Sequence, residues 1–169
     1  MKQLTHTETP TSPRTFPIMV LCDGITLPAN IGAILRLADA FGVEKIIFGG
    51  VGVKTSGRKV KQVSRSTHQW VPHKHTFNIA AEISTLKIEG YEIIALEITD
   101  QSEPIHELKI RKEQKIALVI GSEVQGISKE VLNLCNQASH IPIHGRNTSM
   151  NVSNALAIIL YDITRQLNA

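Results

Sequence analysis

Apolar residues on consecutive positions, in short runs separated by helical spacing, constrain this chain more than any other feature. The runs cover residues 18–22, 45–48, 91–98, 116–120 and 140–143. A strand with one wet face alternates apolar and polar residues, whereas consecutive apolar positions mark a strand covered on both faces. Between the runs, residues 29–41, 78–89, 128–136 and 151–167 carry apolar side chains at helical intervals. Strand–helix alternation predicts an α/β fold on a parallel sheet.

The 169 residues suit one domain with a sizeable core, which we place at 16–169. Residues 1–15, MKQLTHTETPTSPRT, have no apolar periodicity and read as a flexible N-terminal arm. The arm lacks the apolar centre of a signal peptide. No run reaches the roughly 18 apolar residues of a membrane-spanning helix, so no membrane partner is expected. Cys22 and Cys135 have no metal-ligand spacing, and free thiols in a cytoplasmic protein are the expectation. His73 and His75 flank Lys74 with no third ligand at fitting spacing, so no metal is expected.

A net charge of +3 says little by itself about a nucleic-acid partner. Its distribution says more. Residues 53–65, VKTSGRKVKQVSR, hold Lys54, Arg58, Lys59, Lys61 and Arg65 and no acid. Charge alone leaves two readings open: an RNA-phosphate contact or a solvated, mobile loop.

The first helical segment is well punctuated, with Asn30 as a candidate N-cap and Gly42 just past its end. Ile31, Ile34, Leu35, Ala38 and Phe41 form its core stripe. The other side carries Gly32, Ala33, Arg36 and Ala40, a single long cation among nearly bare positions. Such a face suits close approach by a backbone or a ligand. The last helical segment has a stripe of Val152, Ala155, Leu156, Ile159, Leu160, Ile163 and Leu167, widened by Ala157, Ile158 and Tyr161. That width predicts burial on more than one side.

Three stretches carry chemistry. Residues 21–50 contain Asn30 and, six residues on, Arg36. Residues 116–128, IALVIGSEVQGIS, contain Gly121, Glu123, Gly126, Ile127 and Ser128. Residues 141–158, IPIHGRNTSMNVSNALAI, contain Ile141, Pro142, Gly145, Ser149, Met150, Asn151, Val152 and Ser153. In this order and spacing the chain resembles the SpoU (TrmH) branch of the SPOUT RNA methyltransferases, from about Pro17 to Asp162. It departs from the pattern in Val124-Gln125 after the motif 2 glutamate and in Met150 where leucine is commoner. No Gly-x-Gly-x-x-Gly follows the first strand run, which argues against a dinucleotide fold.

The resemblance implies a SPOUT fold with a C-terminal deep trefoil knot, a homodimer, and S-adenosyl-L-methionine as cofactor. It places the cofactor near Leu96, Gly121, Ile141 and Met150. It makes Arg36, Asn30, Glu123, Ser149 and Asn151 active-site residues, with Glu123 holding the arginine or a backbone amide and Ser149 doubling as a helix cap. The implied reaction is methylation of a ribose 2′-hydroxyl in RNA, with tRNA favoured over rRNA. Larger members add RNA-binding domains, so here the catalytic domain is expected to hold RNA largely itself, through Lys54, Arg58, Lys59, Lys61 and Arg65. An arginine side chain is ordinarily deprotonated about once in 10⁵ at pH 7. Arg36 therefore suits phosphate binding and stabilisation of a developing alkoxide at least as well as a base role. Two alternatives stand beside this reading: a non-catalytic RNA-binding relative, and a SPOUT enzyme that methylates a base. The first would lack Arg36 or the Ser149-x-Asn151 pair, and the second the Asn30-to-Arg36 spacing.

Overall fold

The computed structural model describes residues 1–5 and 8–168. His6 and Thr7 of the expected arm, and Ala169 at the end of the expected domain, lie outside the described residues. The chain runs β1 (Phe16–Asp23), α1 (Pro28–Ala40), β2 (Val43–Gly49), α2 (Arg58–Ser64), β3 (His73–Thr76), α3 (Ile79–Ile88) and β4 (Glu92–Leu96). It continues through β5 (Glu103–Pro104), β6 (Ile116–Gly121), α4 (Lys129–Leu132), β7 (Gln137–His140) and α5 (Val152–Leu167). The strands form one sheet in the order β3-β2-β1-β6-β4-β7-β5. Every pairing is parallel, as the consecutive apolar runs predict.

Two cores explain why those runs are apolar throughout. Ile18, Val20 and Cys22 of β1 join Leu118 and Ile120 of β6 in a core covered by α1 and α5. Met19 and Leu21, one register position away, face a second core with Ile83 of α3 and Val131 beyond β6. Each such side chain, fully withdrawn from water, contributes about 1.5–3 kcal/mol. Cys22 is fully buried, and Cys135 is half-buried in the turn after α4, where its Sγ donates to the Val131 carbonyl at 3.3 Å. Burial raises both thiols, Cys135 to about 11, so neither is poised as a nucleophile.

The structure corrects several local readings. Helix α1 begins at Pro28, with Leu27 as an N-cap that has no side-chain bond. Proline's fixed φ and missing N–H suit the first helical position, so the helix starts two residues before Asn30, and Asn30 caps nothing. Gly42 does follow the helix in a left-handed conformation, φ +61°. The acid-free segment is not wholly a loop, because Arg58–Ser64 coil into α2 with Val60 and Ser64 buried. Helix α2 lies against the bare side of α1: a Cβ on Gly32 would sit 2.8 Å from Val63 Cβ and 3.0 Å from the Val60 carbonyl oxygen. The run at 140–143 yields only His140 to a strand, since Pro142 has no N–H to donate to a ladder. Helix α4 ends at Leu132, short of the expected 136. There Asn136 turns the chain into β7, its side-chain oxygen accepting from Ile93 N at 2.9 Å.

Helix α5 buries Leu156, Ile159, Leu160, Ile163 and Leu167 against the sheet. Its far side leaves Ile158 40% and Tyr161 63% exposed. At the other terminus, Arg14 donates to the Asn168 side chain and lies 4.6 Å from the Phe16 ring centre, so this end of the expected arm rests on the domain. Among the described residues no helix is long and apolar enough to cross a membrane.

Candidate active site

Parallel strands put all their carboxyl ends on one edge, where open α/β sheets hold ligands. Strands β4, β6 and β7 end there at Leu96, Gly121 and His140. The chain beyond them encloses a cleft of about 490 Å³. Leu96, Ile98, Ile141, Ile143, Met150 and Val152 give it apolar walls. Glu97, Glu123, His140, Ser149 and Asn151 supply its polar groups.

Gly121 has a steric reason to be glycine. A Cβ there would fall 2.1 Å from Gly126 C and 2.2 Å from Ile127 N. The loop after β6 doubles back over Gly121, closed by Ser122 N donating to Gly126 O at 3.1 Å and Gly126 N to Ser122 O at 2.9 Å. Glu97 fastens that loop to β4. One carboxylate oxygen accepts from Ile127 N at 3.1 Å and the other from Ile98 N at 3.0 Å. His140 Nδ1 lies 3.0 Å from Ser102 Oγ. Sequence reasoning passed over both side chains. The available signal was an acid within the apolar run 91–98 and an imidazole opening the run 140–143.

The three motif stretches meet in a line of polar side chains at the cleft. The Asn30 amide nitrogen donates to Glu123 Oε1. The Asn151 amide nitrogen donates to Asn30 Oδ1 at 3.1 Å. Asn151 Oδ1 in turn accepts from Ser153 N at 2.9 Å and Ser153 Oγ at 2.6 Å. Asn30 is 6% exposed, so its amide is committed to these partners. Asn151 is the N-cap of α5 in place of Ser149, whose exposed hydroxyl bonds to no described residue.

Arg36 stands apart. It is exposed, bonds to no described residue, and does not line the cleft. Six helical residues separate it from Asn30 by about 9 Å along the axis and about 120° around it. Within one chain, therefore, Glu123 holds Asn30 and not the arginine. Lys54, Arg58, Lys59, Lys61 and Arg65 are all exposed, and none is ion-paired to a described residue. His73 Nδ1 is 2.8 Å from Val71 O and His75 Nε2 is 2.6 Å from Gly50 O, each bonded to backbone. No group of three or more His, Cys, Asp or Glu among the described residues is arranged to hold a metal ion.

These walls suit a nucleoside cofactor with a cationic group, because apolar faces take a base and the Glu123 carboxylate at the cleft would attract a positive charge. Comparison with known proteins agrees with the architecture. A tRNA/rRNA methyltransferase of Synechocystis sp., itself uncharacterised, is 33% identical over 155 residues, covering 92% of this chain but 40% of its own length. The tRNA (guanosine(18)-2′-O)-methyltransferase of Aquifex aeolicus is 30% identical over 152 residues, covering 88% of this chain and 69% of that protein. The chain thus spans well under two thirds of some relatives. Among solved structures, the A. aeolicus TrmH/SpoU tRNA modifying enzyme superposes with a TM-score of 0.82 at 28% identity, over 92% of this chain and 77% of the other. The SpoU methyltransferase AviRb of Streptomyces viridochromogenes, in complex with AdoMet, gives 0.79 at 25% identity, over 100% and 64%. The model of the SpoU rRNA Methylase family matches residues 17–161, a span that holds all three motifs and every strand but the first residue of β1, and the chain belongs to that family.

Proposed function

We propose that this domain, residues 16–169 behind an N-terminal arm at 1–15, is an S-adenosylmethionine-dependent RNA 2′-O-ribose methyltransferase acting in the cytoplasm. tRNA is the favoured substrate over rRNA, and no metal takes part. The observation that carries the reading is the Glu123–Asn30–Asn151 chain at the apolar cleft, one residue from each motif stretch. The ribose assignment is supported by the A. aeolicus relative, whose name specifies a 2′-O-methyltransferase. Likeness to solved SpoU structures supports a trefoil knot in the segment after β7.

Leu96, Gly121, Ile141 and Met150 would hold the cofactor. When bound, S-adenosylmethionine supplies a methyl group activated on sulfonium for in-line displacement by the ribose oxygen. Asn151 fixes the start of α5 and, through Asn30, the position of the Glu123 carboxylate at the cleft. Arg36 holds the target phosphate and stabilises negative charge on the attacking oxygen, while the hydroxyl proton passes to phosphate or water. Because Arg36 lies away from its own chain's cleft, the working site takes this side chain from a second copy. Exposed Ile158 and Tyr161 on α5 mark the surface where that copy docks.

The test combines purified protein, S-adenosylmethionine and bulk tRNA or rRNA, followed by nuclease digestion and mass spectrometry of the nucleosides. A gain of one methyl on ribose, without added metal, is expected. Methyl on a base would favour a base-modifying SPOUT enzyme. No methyl on any RNA, together with no cofactor binding by calorimetry, would overturn the reading.

A further inference from the structure

Phe77 is 81% exposed in a chain with only four phenylalanines, one tryptophan and two tyrosines. A single exposed aromatic is ordinary, but this one is held in place. Its ring meets His75 edge-on, with centroids 4.7 Å apart and planes at 88°. His75 is anchored by its Nε2, which donates to the Gly50 carbonyl at 2.6 Å, so this nitrogen carries the proton. Gly50 N donates back to Thr76 O at 3.2 Å, fixing the end of β3 to the end of β2. Val51, the residue after Gly50, is 84% exposed. A braced aromatic ring thus stands in water beyond the carboxyl end of β3.

Its neighbours decide what it fits. The chain leaves β2 beside Phe77 and runs directly into Lys54, Arg58, Lys59, Lys61 and Arg65, exposed and acid-free. All strands being parallel, Phe77 shares its edge of the sheet with the cleft at the ends of β4 and β6. Three strand spacings separate β3 from β6, about 14 Å. An exposed aromatic face at the sheet edge from which a segment of exposed cations departs suits single-stranded nucleic acid, cations taking the backbone and the ring a base.

We propose that Phe77, braced by His75, is a stacking platform for an unpaired RNA base a few nucleotides from the methylated ribose. The proposal rests on the RNA reading above and adds to it a requirement for locally single-stranded substrate. Stacking on a ring that is already fixed avoids the ordering cost a free side chain would incur.

The experiment measures binding of a fluorescein-labelled, unstructured RNA of about twelve nucleotides, and of the same strand annealed to its complement. Phe77→Ala should weaken single-strand binding about 5- to 100-fold, the range for losing one stacked base, and leave duplex binding within twofold. Phe77→Trp should restore it, and its emission should be quenched by the single strand beyond the quenching of Trp70 in the parent. S-adenosylmethionine affinity should be unchanged in both variants. Equal single-strand affinity in the parent and Phe77→Ala would overturn the platform and leave the methyltransferase reading standing. No single-strand binding by the parent would likewise overturn the platform, and the methyltransferase reading would stand or fall by its own assay. A drop in assembly mass for Phe77→Ala in light scattering, with RNA binding intact, would assign the face to a second copy of the chain and overturn the proposal.

Discussion

Gly121 and Arg36 show two opposite ways a single residue matters here. Gly121 is constrained by backbone 2.1–2.2 Å from where a Cβ would sit. Gly121→Ala must push the Gly126–Ile127 loop off β6 and break the Glu97–Ile127 bond. It should cost on the order of 3 kcal/mol in thermal unfolding and abolish cofactor binding by calorimetry. A stable variant that binds normally would show the loop can slide. Arg36 is under no packing constraint, being exposed and unbonded among the described residues. Arg36→Ala should therefore unfold within about 0.5 kcal/mol of the parent while methyl transfer falls by at least two to three orders of magnitude. Arg36→Lys should recover little, since a point charge cannot reproduce a planar fork. Tritium transfer from labelled cofactor to tRNA measures both, and activity within tenfold in the alanine variant would remove Arg36 from the mechanism.

At the scale of an element, α2 carries two separable roles. Val60 and Ser64 face the interior, and Arg58, Lys59 and Lys61 face water. Gly32 of α1 makes the packing possible because α2 comes within 3.0 Å of its missing side chain. Gly32→Val should thus lower stability by about 1–3 kcal/mol by overpacking, read in urea unfolding. Neutralising Arg58 and Lys61 together should leave stability unchanged and reduce the salt dependence of RNA binding by at most about two units of log–log slope. Filter binding across a salt series checks this, and an unchanged slope would mean that α2 meets no phosphate.

For the whole molecule, the α5 surface and the position of Arg36 bear on the same question. Ile158 and Tyr161 are exposed on a helix whose leucines and other isoleucines are buried, and no arginine of this chain lines the cleft. Ile158→Glu should leave the monomer folded, because that side chain is already in water by 40%. It should halve the assembly mass in light scattering from about twice 18.6 kDa and abolish methyl transfer in the same preparation. A monomer with full activity would refute the shared site.

The consecutive apolar runs determined the parallel sheet without reference to anything else, because only strands covered on both faces tolerate them. Glycine past α1 and the core stripe of α5 were legible for similarly local reasons: a left-handed cap and a periodicity are written in neighbouring residues. Short elements were not. Strands β3 and β5 and helix α2 are two to seven residues long and carry His, Lys, Glu and Arg, so their burial depends on partners far along the chain. The motif stretches named Asn30, Glu123 and Asn151, but no spacing could say that these three bond to one another across 93 and 121 residues. Pro28 moved the helix start and so turned Asn30 inward, from a cap to the centre of the polar chain. Helical periodicity already put Arg36 on the side away from the core stripe, and only the fold could show that the cleft forms without it.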